Sequence, residues 1–295
     1  MPKALWRRQT PGDIAFMLIT RIYVFLIVCV TLYPFIFIAS SSISDAGAVT
    51  RMEVWLFPKG INFNAYIRVF GDEQLWVSYR NTIWYVGVGT AINLVMTTLL
   101  AYPLSRRKFQ GRRFLMIAIT FTMFFSGGMI PSFILVRSLG MINTRWAIVI
   151  PTAISTYYLI ITRTFFETIP ESMHEMATID GAGEFRIFLQ MFLPLSMPIL
   201  ATLVLFYAVG HWNAYFIPML YLSRERLYPL QIFLRKILLM YEANDLMLDL
   251  QIDARDISRT IRYATIMIST LPIICVYPFL QKYFVKGVMI GAIKG

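Results

Sequence analysis

Long apolar runs separated by short polar stretches set the pattern of this chain. Ile22–Ala39 carries no charge and starts just after Arg21, while Thr82–Leu104 and Phe114–Val136 are charge-free over their full lengths. Trp146–Thr162 is followed by Arg163, a position from which a long side chain can reach the membrane surface. Ile187–Leu222 is uncharged apart from His211 and is too long for one crossing. Pro194 and Pro198 divide it into an interfacial helix and a run from Pro198 to Leu222. Tyr263–Gln281 is the last such run. About 20 apolar residues in a helix cross the ~30 Å of hydrocarbon in a bilayer. The pattern therefore predicts an all-α, polytopic membrane protein with six transmembrane helices.

Composition agrees, with 58% hydrophobic residues against 15% charged and a mean hydropathy of +0.63, well outside the soluble range. Six crossings put both termini on one side, and charge says which. Ser105–Arg113 holds Arg106, Arg107, Lys108, Arg112 and Arg113, and a short loop that basic stays in the cytosol. On that topology the inner side carries 14 Lys+Arg to 6 Asp+Glu and the outer side 13 to 10. The basic totals nearly tie, so the short loop decides: N- and C-termini cytosolic. The net charge of +11 then reports topology. It does not point to nucleic acid, since the basic residues form no stripe with interleaved aromatics in a soluble domain. The first run is full length and lacks a small-residue cleavage site, so it reads as a span rather than a signal peptide. Cys29 and Cys275 both fall within spans and read as small packing residues, not as a disulfide framework.

The expected organisation is a cytosolic N-terminal arm (1–14) and a single six-span transmembrane domain (15–295). Its outer loops are 40–81 and 223–262, and a polar cytosolic segment covers 165–194. In the second outer loop Leu230, Phe233, Leu234, Ile237, Leu238 and Tyr241 recur at helical spacing, with Arg235 and Lys236 opposite. That is an amphipathic helix, either packed on the bundle or offering a docking surface outside. Asp249, Asp253, Asp256, Arg255, Arg259 and Arg262 form a solvated mixed-charge stretch.

The cytosolic segment carries Glu175-Met176-Ala177-Thr178-Ile179-Asp180-Gly181-Ala182, with Phe192-Leu193-Pro194 downstream. Thr168-Ile169-Pro170-Glu171 fits a capping box that would start a helix at Thr168, and Pro170 is tolerated in a first turn. Glu171 and Glu175 lie early in that helix, where its dipole favours negative charge. Gly181 sits where a left-handed residue would end it. Ala177, Gly181, Ala182 and Gly183 are small enough for another surface to approach. Helix resumes over Glu184–Leu193, with its exit at Pro194.

This segment resembles the cytosolic motif of ABC importer permeases: Glu-Ala-Ala, three residues, Gly, nine residues, Ile-x-Leu-Pro. Glu175, Ala177, Gly181, Leu193 and Pro194 match at that spacing, while Met176 replaces the second-position Ala and Met191 the Ile. Trp212-Asn213 and the ending Lys282-Tyr283-Phe284-Val285-Lys286-Gly287 resemble the maltose-type carbohydrate branch, and within it the permeases for polysaccharides and oligosaccharides such as alginate or pectin fragments. The resemblance implies a type I importer permease fold in the cytoplasmic membrane of a prokaryote. The helix from Thr168 to Asp180 would dock in a cleft of a cytosolic ATP-binding subunit, with Glu171, Glu175, Met176, Ala177, Asp180, Gly181 and Ala182 as the coupling residues. It further implies two such ATP-binding subunits, a second homologous permease, an external solute-binding protein and a saccharide substrate. ATP and Mg would be bound by the ATPase partners, and this chain would not itself be the enzyme.

What the chain lacks agrees with that division of labour. No Gly-x-x-x-x-Gly-Lys-Ser/Thr occurs, so it has no phosphate-binding loop. The span cores contain no Asp or Glu on which a proton- or sodium-driven carrier could run. His174 and His211 are too far apart to anchor a metal site, and no Ser/His/Asp or Cys/His arrangement assembles. His211, Trp212, Asn213 and Tyr215 form the most polar stretch in a span; Asn93 is a second intramembrane amide, and Tyr157 and Tyr158 are further aromatics. Either they line a substrate path, with flat rings for sugars and amides for hydroxyls, or His211 and Asn213 bond a neighbouring helix. Alternatives to the importer reading are a stand-alone secondary carrier or channel, a membrane scaffold that only recruits a partner, or an ABC permease for a non-sugar solute.

Overall fold

The computed structural model describes residues 11–247, 259–276 and 278. Every regular element among them is helical. Three helices are long and apolar enough to cross a membrane: α1 (Pro11–Ser42), α4 (Glu73–Ser105) and α15 (Arg259–Val276). These contain the expected first and second spans and the described part of the sixth. Residues 279–281 of the sixth, like the tail from 282 and Asp249, Asp253, Arg255 and Asp256, lie outside the described residues.

The three remaining expected spans are not single helices. Phe114–Val136 is split into α5 (Arg112–Phe124) and α6 (Met129–Ser138), which meet at 113°. Gly128, at φ +84, forms the elbow, a conformation that favours a residue without Cβ. Trp146–Thr162 is a short α7 (Trp146–Val149), a non-helical stretch around Pro151 and α8 (Thr156–Phe166). The run from Pro198 is α12 (Met197–Trp212), a break at Asn213–Tyr215 and α13 (Phe216–Tyr221). Hydropathy counts apolar side chains and is blind to such backbone breaks, which is why each looked like one rod. The division near Pro194 and Pro198 does occur: the helical stretch Glu184–Leu195 and α12 bend by 81°, with the break at Ser196.

The chain forms two compact units. One comprises residues 1–71 and 237–268, the other 72–236 and 269–295. In the first, α1 presents an apolar window with none of its residues buried. At about 48 Å for 32 residues, α1 is longer than the bilayer core. Its C-terminal end is tied down by serines: Ser40 Oγ donates to Leu56 O at 2.7 Å, Ser44 Oγ to Ser40 O at 2.6 Å, and Ser42 Oγ pairs with Tyr66 OH at 2.8 Å. The expected outer loop folds here into α2 (Ala46–Thr50), capped by Asp45, and α3 (Asn64–Phe70).

In the second unit α4 is the spine, packed against α12, α8, α7 and α5. Its buried face is mostly polar, including Ser78, Asn81, Thr82, Asn93, Thr97 and Thr98. Asn81 Nδ2 donates to Arg226 O (2.8 Å) and Tyr228 O (3.1 Å), Tyr85 OH to Leu227 O (2.9 Å), and Leu230 N to Thr82 Oγ1 (2.8 Å). These bonds hold the entry to α14 (Leu230–Met247), whose first turn buries Leu230 and Phe233 and leaves Arg235 and Lys236 exposed. The amphipathic helix thus exists, and its apolar start packs on protein. Cys29 and Cys275 are free thiols on exposed faces, not packing residues; the spans that carry them turn those faces outward.

Gly89 on α4 lies against α12: a Cβ there would lie 2.6 Å from His211 Nε2. Gly89→Val should therefore overpack this crossing and cost about 1–3 kcal/mol, read as a drop of several degrees in the thermal midpoint of the detergent-solubilised chain. Adding His211→Ala should recover part of the loss. An unchanged midpoint in Gly89→Val would contradict this packing.

Candidate functional site

The polar segment expected in the cytosol holds α9 (Glu171–Ile179), which ends as the sequence requires. Gly181 has φ +77; its N–H donates to Thr178 O and the N–H of Ala182 to Ala177 O, both at 3.0 Å. This is the paired closure of a Schellman motif. An added Cβ at Gly181 would meet nothing within 4 Å, so its backbone angle is what demands glycine there. The start differs from expectation. α9 begins at Glu171, Pro170 is the N-cap, and no side chain caps it. Thr168 Oγ1 instead donates back to Phe165 O at 2.7 Å; serving the end of α8, it is unavailable for a capping box. The following stretch is a short α10 (Glu184–Ile187), a π-helical turn (Phe188–Phe192) and α11 (Leu193–Leu195), rather than a uniform helix to Leu193.

The inner face of α9 is anchored. Met173, Ala177 and Ala182 pack on a core that includes Tyr102, Leu104, Leu159, Phe166 and Phe192. Ala177 and Ala182 thus face the fold, not an approaching surface. Met176 (59% exposed) and Ile179 (85%) point away, with Phe185 (67%) beside them, and Asp180 and Gly181 are also exposed. Glu171 turns inward, 3.8 Å from Arg106 Nη1. Glu175 is exposed and takes a 3.2 Å bond from Lys108 Nζ, an exposed pair worth at most about 1 kcal/mol. Its carboxylate therefore stays open to competition by another cation.

The basic loop that set the topology in sequence is also the counter-charge of this segment. Arg112 and Arg163 both bond Glu167. Arg106 sits over the Phe192 ring at 4.4 Å and donates through Nη2 to Phe166 O at 3.1 Å. In return, Arg163 Nε donates to Leu104 O at 3.1 Å. Each arginine thereby satisfies a carbonyl near the C-terminus of the other's helix, where free carbonyls and the dipole favour cations. Burial draws the Arg106 pKa down, with Glu171 the main opposing influence. Tyr102 OH donates to Glu184 Oε2 (2.6 Å), and His174 Nε2 lies 3.1 Å from Glu184 Oε1. The groups wall a cleft of about 500 Å3 with Pro103 and Phe188. Arg106, Lys108, Arg163 and Glu184 were not among the residues expected at this site. Only the dense basic charge of 105–113, opposite an acidic segment, hinted at their pairing.

Inside the membrane domain, Asn93 and His211 do meet, but as internal structure. Asn93 Nδ2 donates to Thr152 O (2.6 Å) and Ala153 O (3.0 Å), the carbonyls freed by the break after α7. Its Oδ1 can then only accept, so His211 Nε2 at 2.6 Å is the donor. Both side chains are buried. Trp212 Nε1 donates to Ser269 O at 3.3 Å, and its ring meets Tyr79 edge-on. Asn213 caps α12 and is exposed. Tyr215 is 40% exposed under Arg235, 5.0 Å from its guanidinium carbon, and Tyr157 is 56% exposed against Tyr158. Among the described residues no group of His, Cys, Asp and Glu could hold a metal ion.

The chain finds its match among known proteins. The chain belongs to the family of binding-protein-dependent transport system inner membrane components, whose family model matches residues 78–290. It is thus the membrane permease of an ABC transport system. Protein LplC of Bacillus subtilis (strain 168) is 40% identical over 266 residues, 90% of each chain. The polygalacturonan/rhamnogalacturonan transport system permease protein YtcP of the same organism is 39% identical over 272 residues, 92% of this chain and 94% of the relative. A chain in a crystal structure of a bacterial ABC transporter involved in the import of the acidic polysaccharide alginate superposes with a TM-score of 0.85 at 37% identity, over 93% of this chain and 98% of that one.

Glu184 gives this end of the molecule an acid limit. Its burial would raise the carboxyl pKa, but the hydrogen bonds from Tyr102 and His174 outweigh that and hold it below the usual value. A carboxylate lowered in the folded state contributes stability above its unfolded pKa and loses it as pH falls through the folded one. Tyr102→Phe should therefore reduce the stability at neutral pH, by less than about 1 kcal/mol for so exposed a group. It should also flatten the fall in thermal midpoint between about pH 5 and pH 3. An identical acid profile in the variant would show that the Tyr102 bond does not control Glu184.

Proposed function

We propose that this permease imports an oligo- or polysaccharide across the cytoplasmic membrane of a prokaryote, driven by ATP hydrolysis on partner subunits. The observation that carries the mechanism is α9 itself: it is stopped by Gly181, bound to the core through Met173, Ala177 and Ala182, and leaves Met176 and Ile179 bare. An apolar pair on a charged cytosolic face fits a cleft on another protein. Closure of two ATP-binding subunits would push on α9, and its rigid anchoring would carry that push into α4 and α8. Glu175 and Asp180 supply charged contacts around the apolar pair, while Glu171 and Ala182 brace it from inside.

The remaining parts follow from this reading. Six crossings leave both termini and α9 in the cytosol, in one permease domain spanning 15–295. A second homologous permease completes the pathway. An external solute-binding protein docks on loops 40–81 and 223–262. Trp212, Asn213, Tyr215 and Tyr157 line the path, whereas Asn93 and His211 hold its walls. The saccharide class is supported by what the relatives are named for: polygalacturonan and rhamnogalacturonan transport for one and alginate import for the solved transporter.

The test is purification of the tagged chain from its native membrane beside a Met176→Asp/Ile179→Asp variant, with ATP hydrolysis assayed against a panel of acidic and neutral oligosaccharides, peptides and amino acids. The native chain should bring an ATP-binding subunit and a second permease, with turnover raised by an oligosaccharide. The variant should keep its thermal midpoint and lose at least about tenfold of that turnover, the equivalent of ~1.4 kcal/mol of docking energy. A variant that couples normally overturns the α9 reading. Stimulation by peptides or amino acids alone overturns the saccharide reading.

A further inference from the structure

The groove between α5 and α8 has two unlike halves. Arg113 and Arg163 stand at one end, and Met116, Ile117, Thr120, Phe121 and Phe124 line the rest of this shallow, open groove of about 830 Å3. The 13 residues of α5 rise about 20 Å, close to the ~15 Å of hydrocarbon in one leaflet. Phe121 stacks on Phe125 at 4.3 Å, giving the far end a flat aromatic stop.

The charged end is in excess. Arg112 and Arg163 share the single carboxylate of Glu167, and Arg113 is exposed with no hydrogen bond or ion pair to a described residue. Arg113 and Arg163 thus bring two guanidiniums to the groove, while the carboxylate of Glu167 is already shared between Arg163 and Arg112. The first turn of α5 follows Gly111, at φ +81, with no side-chain cap, so its amides add to the positive field. A purely apolar partner helix laid in this groove would cover the tail half and bury the uncompensated cations, which is costly. A molecule with an anionic head and an acyl chain satisfies both halves.

We propose that this groove is a binding site for one anionic phospholipid, its phosphate at Arg113 and the N-terminus of α5 and one acyl chain along Met116–Phe124. Its assignment to the inner leaflet rests on the topology proposed above. The groove spans hydrocarbon on either topology, so failure of the test counts against the lipid site and not against the topology.

The experiment places the photoreactive residue benzoylphenylalanine at Ile117 of the full chain in its transporter complex. Bilayer nanodiscs contain equal phosphatidylglycerol and phosphatidylcholine, and adducts are weighed by mass spectrometry. The expected product is the chain plus one phospholipid, phosphatidylglycerol exceeding phosphatidylcholine by about fivefold, as one cation near a membrane surface provides. Arg113→Gln should bring the ratio close to one with no change in thermal midpoint, since Arg113 makes no hydrogen bond or ion pair to a described residue. An adduct with another protein chain overturns the proposal. So does a lipid ratio that Arg113→Gln leaves unchanged, or no adduct at Ile117 while the same probe at exposed Leu135 labels lipid.

Discussion

Hydrocarbon offers no hydrogen bonds, and this requirement organises the main unit of the molecule. Three of the apolar runs are broken, and each break frees backbone carbonyls and amides that lipid cannot satisfy. α4 supplies the partners for the break after α7 and for the segment that leads into α14. Asn93 takes the carbonyls of Thr152 and Ala153, while Asn81, Tyr85 and Thr82 take the backbone of the segment that leads into α14. Asn93 also binds His211, so the same residue that permits the break after α7 joins α4 to α12. The polar face of α4 is therefore what makes the break after α7 tolerable in a membrane.

The same rule operates at the end of the unit that carries α9, with charge in place of amides. α4 and α8 finish side by side, and each donates an arginine to a carbonyl near the other's last turn. Glu167 and Glu171 then compensate those arginines. The result is a charged clasp around an aromatic core, on which α9 is mounted. A helix of nine residues is marginal by itself. Mounted there, it is held by Met173 and Ala177, which pack on that core.

Much of this was legible in the sequence. The all-helical membrane class followed from the apolar runs, and the stop at Gly181 from one glycine after a helical pattern. The permease family followed from Glu175, Ala177, Gly181, Leu193 and Pro194. The capping box at Thr168 was misread because its hydroxyl had a competing acceptor, Phe165 O, one turn earlier on a helix whose end the pattern had not located. For Asn93 and His211 the sequence left a path role and a bond to a neighbouring helix both open, because burial and exposure leave the same mark among apolar neighbours; the structure bonds them to each other. The pairing of Arg106, Lys108 and Arg112 with acids about 55 to 67 positions away had no local signature at all.

The sequence by itself determined the solvent this chain occupies, its helical class, its family and the left-handed stop that ends α9. These depend on composition and on short-range backbone preferences, which are written residue by residue. Only the tertiary structure decided which polar side chains are internal partners and which are exposed, where the apolar runs break, and which cations are left uncompensated. Those outcomes depend on contacts between positions far apart in the chain, where the satisfaction of one carbonyl or one charge rests on a residue that no local pattern names.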